Sequence, residues 1–153
     1  MSELKNRIRT DMTRALKARD ELRTSTLRMV VAAITAAEVA GEQARELSDE
    51  EVQAVIATQA KKSREAAEAF ADGGRHELAE KETAEAAILA EYLPEQLSAE
   101  QVAEIVAQVV ASAGAADEGM KAMGRVMRAV QPRLKGRADG RMVAAEVKRQ
   151  LGA

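Results

Sequence analysis

Apolar residues recur at steps of three and four along almost the whole chain, with polar residues filling the positions between them. That period belongs to amphipathic helices, each burying one stripe. Residues 3–18 place Leu4, Ile8, Met12, Ala15 and Leu16 in such a stripe, with Lys5 and Arg9 on an exposed side. After a short break near Asp20, residues 21–40 turn Leu27, Val30, Val31, Ile34 and Ala37 inward. So short a break predicts an antiparallel helical hairpin. Beyond a loop opened by Gly41, Ser48 and Glu51 form a capping box: the hydroxyl satisfies an orphan N–H while the carboxylate reaches back. The acids of that first turn also complement the helix dipole. The third helix should run to Asp72 over Val52, Val55, Ile56, Ala66, Ala69 and Phe70, and end at Gly73-Gly74. A fourth is predicted over 75–92, with Leu78, Ala84, Ala87, Ile88 and Tyr92 available for packing.

The string LPEQLSAEQ, residues 93–101, reads as a domain hinge. Pro94 disfavours helix at Leu93, and Ser98 with Gln101 makes a second capping box. A helix over 99–112 would bury Val102, Ile105, Val106, Val109 and Val110. Gly114 and Ala115 turn the chain, and the next helix is expected from near Asp117, with Met123, Val126, Met127 and Val130 inward and a stop at Pro132. Asp139 is placed to cap a last helix with the stripe Val143, Val147 and Leu151. The expected fold is all-α, an N-terminal multi-helical domain over 1–93 followed by a small three-helix domain over 94–153.

Composition narrows this further. Among 153 residues there are one Phe, one Tyr and no Trp, so the cores must be built from Leu, Ile, Val, Met and Ala. No Cys is present, which excludes disulfides and thiolate sites. No apolar run approaches the roughly 18 residues that span a bilayer, and the charged start MSELKNRIRTD lacks the apolar centre of a signal peptide. The expectation is a soluble, cytoplasmic protein without a membrane partner.

The formal net charge of −2 conceals a strong polarity. Residues 1–30 carry eight bases and four acids, residues 31–118 six bases and nineteen acids, and residues 119–153 nine bases and two acids. The densest basic stretch is 119–141, GMKAMGRVMRAVQPRLKGRADGR, with Lys121, Arg125, Arg128, Arg133, Lys135, Arg137 and Arg141 against the single acid Asp139. Lys121, Arg125 and Arg128 follow at steps of four and three and so share an outward helix face. Arg141 and Lys148, seven apart, do the same. A basic module on an acidic protein points to a polyanionic partner; the competing explanation is that the basic ends neutralise the acidic middle. Gly124 within the helix should cost about 1 kcal/mol against Ala, and such a glycine usually permits close approach by a neighbouring helix or a ligand. Gly136 and Gly140 belong to the turn KGRADG.

No reactive constellation emerges. The one histidine, His76, has Glu80 where a zinc-protease helix needs a second histidine. KGRADG lacks the spacing and the hydroxyl of a phosphate-binding loop. No catalytic residue, metal or cofactor is expected. Lysines and arginines on one face can contact backbone phosphates. Without aromatic residues to stack bases, binding would depend on the shape and charge of a structured RNA.

Four segments carry a resemblance: LRMVVAAITAAEV at 27–39, LSDEEV at 47–52, GGRHELAEKETAEAAILAEYLPEQLSAEQV at 73–102 and MGRVMRAVQPRLKGRADGRMV at 123–143. In these the chain resembles the GatB/YqeY family, specifically its free-standing YqeY-like proteins. Ala122 stands where members often carry an acid, and Ala144 where they often carry Asn. The resemblance implies two helical domains, the second similar to the tail of the GatB component of the tRNA-dependent amidotransferase, which is associated with holding tRNA. Gly124, Val126, Met127, Lys135, Gly136 and Ala138 match that tail pattern, and Lys135 suits a phosphate contact best. The family name also carries a carbon–nitrogen ligase activity with glutamine as amide donor, but nothing in these residues resembles its catalytic parts. The expectation is therefore a non-catalytic protein that binds tRNA or another structured RNA through Lys121, Arg125, Arg128, Arg133, Lys135, Arg137 and Arg141. The alternatives are an accessory to amidotransferase subunits and a module that docks an acidic protein.

Overall fold

The structure, a computed structural model, describes residues 2–152 and is all-helical, with no strand among them. The chain divides into two compact units, 1–93 and 94–153.

The first unit contains α1 (Glu3–Lys17), α2 (Glu21–Glu38), α3 (Asp49–Asp72) and α4 (His76–Ala90). Its core joins Ile8 of α1, Leu27, Val30 and Ile34 of α2, Val52, Ile56 and Ala60 of α3, and Ile88 and Leu89 of α4, closed by Leu47 and Tyr92. The α1–α2 turn is tight because Arg19 adopts φ +58°, and the N–H of Asp20 bonds the carbonyl of Ala15 at 3.0 Å. The capping box at Ser48 forms as predicted, with both reciprocal bonds present.

Three details differ from the periodicity. Lys5 is not on an exposed side: its ammonium lies 2.7 Å from Glu38, with both side chains about 12–13% exposed. The opposite charge in tertiary contact outweighs the solvation that a lone lysine would seek. Leu16 and Leu78 face solvent, as do Ala69 and Ala87. The packed stripe of α4 instead runs through Ala79, Glu85, Ala86, Ile88 and Leu89. Glu85 is 9% exposed, and burial raises its carboxyl above the usual range. Helices α2 and α4 also end earlier than expected, at Glu38 and Ala90.

Polar contacts lock the ends of the helices. The Tyr92 hydroxyl donates to Asp11 at 2.6 Å, and the Arg7 guanidinium lies 4.8 Å from the ring centroid. The carboxylate of Glu38 accepts from Lys5 and from the N–H of Leu47 at 3.2 Å, so α1, the end of α2 and the following loop meet on one group.

The second unit contains α5 (Ala99–Ser112), a single 3-10 turn (Gly119–Ala122), α6 (Met123–Leu134) and α7 (Gly140–Gly152). Its core is dominated by valine: Val102, Val106, Val109 and Val110 from α5, Val126 and Val130 from α6, and Val143 and Val147 from α7. Short β-branched side chains fill little depth, so the three helices pack closely. Helix α6 starts at Met123 and not near Asp117, because Gly119 takes φ +63° and breaks the helical path before it. Nor does Pro132 stop it. Arg133 and Leu134 complete a last turn beyond it, and the N–H of Lys135 still bonds the carbonyl of Gln131 at 2.9 Å. The helix ends where Lys135 leaves the helical region at ψ 125°.

Replacing Tyr92 by Phe removes one buried donor while keeping the ring, and should lower stability by about 1 kcal/mol in denaturant titrations followed by circular dichroism. Stability of the first unit should also fall in acid. Hydrogen bonds from Lys5 hold Glu38 below its ordinary value, Ser2 does the same for Asp49, and Arg45 holds Glu51 down at about 2. Depressed carboxylates stabilise above their unfolded value, and the contribution disappears as pH falls through the folded value. Fluorescence of Tyr92, the one tyrosine, should report a melting temperature that declines between pH 4.5 and about 2. Glu38→Gln should flatten the upper part of that decline.

Candidate nucleic-acid interface

The basic residues of 119–141 are carried by the 3-10 turn, by α6, by the loop 135–139 and by the first turn of α7. One stripe of α6, Val126, Val130 and Leu134, is buried in the valine core with Met123 and Met127 packed against it, which leaves the opposite side of the helix outward. Lys121, Arg125, Arg128, Arg133, Lys135 and Arg141 are exposed, and Arg137 is half-buried.

The loop is a specified structure. Gly136 adopts φ +77°, a conformation open to glycine and strained for other residues. The N–H of Leu97 donates to the carbonyl of Arg137 at 2.8 Å, and the Gln96 side chain donates to the carbonyl of Gly136 at 2.8 Å. The segment before α5 thus holds the turn that presents Lys135 and Arg137. Asp139 takes the capping place expected of it: its side chain accepts from the N–H of Arg141 at 2.8 Å and its carbonyl from that of Val143 at 3.0 Å.

The seven cations are not equivalent. Arg125 pairs with Glu118 and also donates to the carbonyl of Ala113 at 3.2 Å. Arg133 donates to the side chain of Gln108 on α5 at 2.8 Å. Both are occupied within the unit. Lys121, Arg128, Lys135, Arg137 and Arg141 enter no ion pair or side-chain hydrogen bond among the described residues, and the same is true of Lys148. The two acids of this region neutralise none of them. Asp139 is turned to the start of α7, while Glu146 is bound by Arg149 and Gln150. Those bonds hold Glu146 at about 2 and raise Arg149. What remains is a set of free positive charges on one small unit.

A family model described as YqeY-like protein matches residues 5–151. The chain belongs to the YqeY-like protein family. A search of curated proteins finds no match.

In this YqeY-like chain the glycines divide by role. The close approach expected of Gly124 is not to another part of the chain: a Cβ there would meet nothing within 4 Å, and the same holds at the turn residue Gly140. The glycines of this unit whose backbones do come near another segment are Gly119 and Gly152, and there a Cβ would be at ordinary contact distance. A Cβ on Gly152 would lie 3.8 Å from the Cα of Gly119, and one on Gly119 would lie 3.7 Å from the carbonyl of Leu151. Periodicity missed this pair because the 3-10 turn and the end of α7 meet only in three dimensions. Ala122 is fully buried beside them, which an acid in its place would not tolerate unpaired. Among the described residues no cluster of three or more metal-ligating side chains occurs, and His76 and Glu80 are both exposed. No helix there is long and apolar enough to cross a membrane.

The same substitution at two of these glycines should have opposite signs. Gly124→Ala should stabilise by up to about 1 kcal/mol, because the site is open and helical. Gly136→Ala should destabilise by about 1 kcal/mol or more, because the left-handed turn strains a Cβ. Chemical denaturation of both variants beside the parent checks the pair.

Proposed function

We propose that this protein binds tRNA or another structured RNA through the cationic face of its C-terminal unit, and that it contributes no catalytic group of its own. The observation that carries this reading is the set of cations unpaired among the described residues, the exposed Lys121, Arg128, Lys135 and Arg141 and the half-buried Arg137, beside two acids that are engaged elsewhere. Unpaired surface cations are what counterion release from a polyanion requires. The two aromatic residues of the chain, Phe70 and Tyr92, both lie outside residues 94–153, so base stacking has no aromatic platform there. Recognition then falls to phosphates and helix shape. Resemblance of residues 123–143 to the tail of an amidotransferase component that is associated with holding tRNA supports the same reading. In it the protein works in the cytoplasm, and a link to tRNA-dependent amidation is an accessory one, made by delivering or holding RNA for amidotransferase subunits. Arg125 and Arg133 join the interface by exchanging Glu118 and Gln108 for phosphates.

The test is a titration of purified protein with unmodified tRNA at several salt concentrations, beside a variant with Lys121, Arg128, Lys135 and Arg141 changed to Ala. Binding should weaken steeply with salt, and the four lost contacts should reduce the log–log slope by roughly 3. The variant should keep the parent's helicity, since none of the four side chains makes a bond among the described residues. Equal binding by parent and folded variant, or equal competition by polyglutamate, overturns the reading and favours an acidic protein partner.

A further inference from the structure

Of the glycines in the C-terminal unit, Gly124 and Gly140 have ordinary φ and open space at the Cβ position, and of these two only Gly124 lies inside a helix and not at its first position. Gly114, Gly119 and Gly136 adopt positive φ at turns, Gly152 lies against Gly119, and Gly140 opens α7 after its cap. Gly124 has helical backbone, lies in α6, is exposed, and has open space where a side chain would be. A helix loses stability by carrying glycine there and gains no packing inside the chain. Its neighbours on that face are informative. Arg128 lies four residues after it on α6, a spacing that brings side chains to one side of a helix, and Lys121 lies three residues before it in the 3-10 turn that leads into α6. Both are exposed, and neither side chain has a partner among the described residues. The two cations stand seven positions apart, on the order of 10 Å along the helical path from the 3-10 turn into α6, with the main chain at Gly124 uncovered between them.

Resting on the RNA reading above, we infer that the sugar–phosphate strand of a double-helical RNA stem crosses α6 at Gly124, with Lys121 and Arg128 holding phosphates on either side. The missing side chain lets the strand approach the helix backbone at a distance that a Cβ and its hydrogens would deny. A stem suits this surface better than a single strand. The unit has no aromatic side chain to receive splayed bases, and a rigid line of two charges matches a backbone that already has fixed geometry. The contact reads the shape of the backbone and not its bases.

Gly124→Ala and Gly124→Leu test this without altering any charge, so a loss reports the distance of approach. The probes are an RNA hairpin with a stem of about 16 base pairs and an unstructured RNA strand of equal length. The expected result is a stem affinity weakened about threefold by Ala and about tenfold or more by Leu, the latter being the size of a single lost contact. Both variants should melt at or above the parent temperature. If the Ala and Leu variants bind the stem within about twofold of the parent, while the four-cation variant has lost binding, the role of Gly124 is overturned and the RNA reading stands. If the parent binds the single strand as tightly as the stem, the stem is the wrong occupant. If the parent binds neither, this inference and the RNA reading fall together. Should the Leu variant melt low, the Ala variant decides, since a methyl group at an open helical position has nothing to displace.

Discussion

The basic loop of the C-terminal unit depends on its hydrogen bonds to a segment some forty residues earlier. Leu97 donates to Arg137, and Gln96 donates to Gly136, each at 2.8 Å. These bonds satisfy two carbonyls that a left-handed turn leaves outside the helical ladder. They hold α6 and α7 at a defined junction, so that Lys135, Arg137 and the start of α7 occupy set positions. A loop of this charge left free would spread its cations through solvent, and each would pay the full entropy of ordering on binding a partner. Held in place, the same charges form a surface.

Scarcity of aromatic residues is the second constraint, and it acts on core and surface together. With eight valines in its centre, the unit builds a thin core that Leu134 and Leu151 complete, and its helices turn their charged side chains outward. The acids lie mainly before α6, in Glu95, Glu100, Glu104, Asp117 and Glu118, and the bases lie on α6, the loop and α7. The unit is thus electrically divided while its formal charge stays small. A surface of this kind attracts a polyanion through its field and positions it through a few side chains.

Much of the fold was legible from local chemistry. Both capping boxes, at Ser48 and Ser98, form with both reciprocal bonds, and Asp139 caps α7, because each of these signals acts within four residues. The valine stripes of α5 and α7 read correctly for the same reason: helical period is a local property. Errors fell where the deciding partner is remote. Lys5 looked exposed until Glu38 met it, thirty-three residues away. Pro132 looked like a stop, yet the helix runs on through Arg133 to Leu134. The pairing of Gly119 with Gly152 had no sequence signal at all, since it arises from the meeting of a 3-10 turn with the far end of α7.

The sequence by itself determined that the chain is helical, where most helices begin, and that positive charge gathers in 119–141. These follow from residue type and spacing, which act over one or two turns. Tertiary structure alone decided which of those charges are available. Arg125 and Arg133 lose their freedom to Glu118 and Gln108, while Lys121, Arg128, Lys135 and Arg141 keep theirs. It also decided that Gly124 faces open space and not a neighbouring helix. Pairing and openness depend on which groups approach within a few ångströms, and distance through space is not written in the order of residues along a chain.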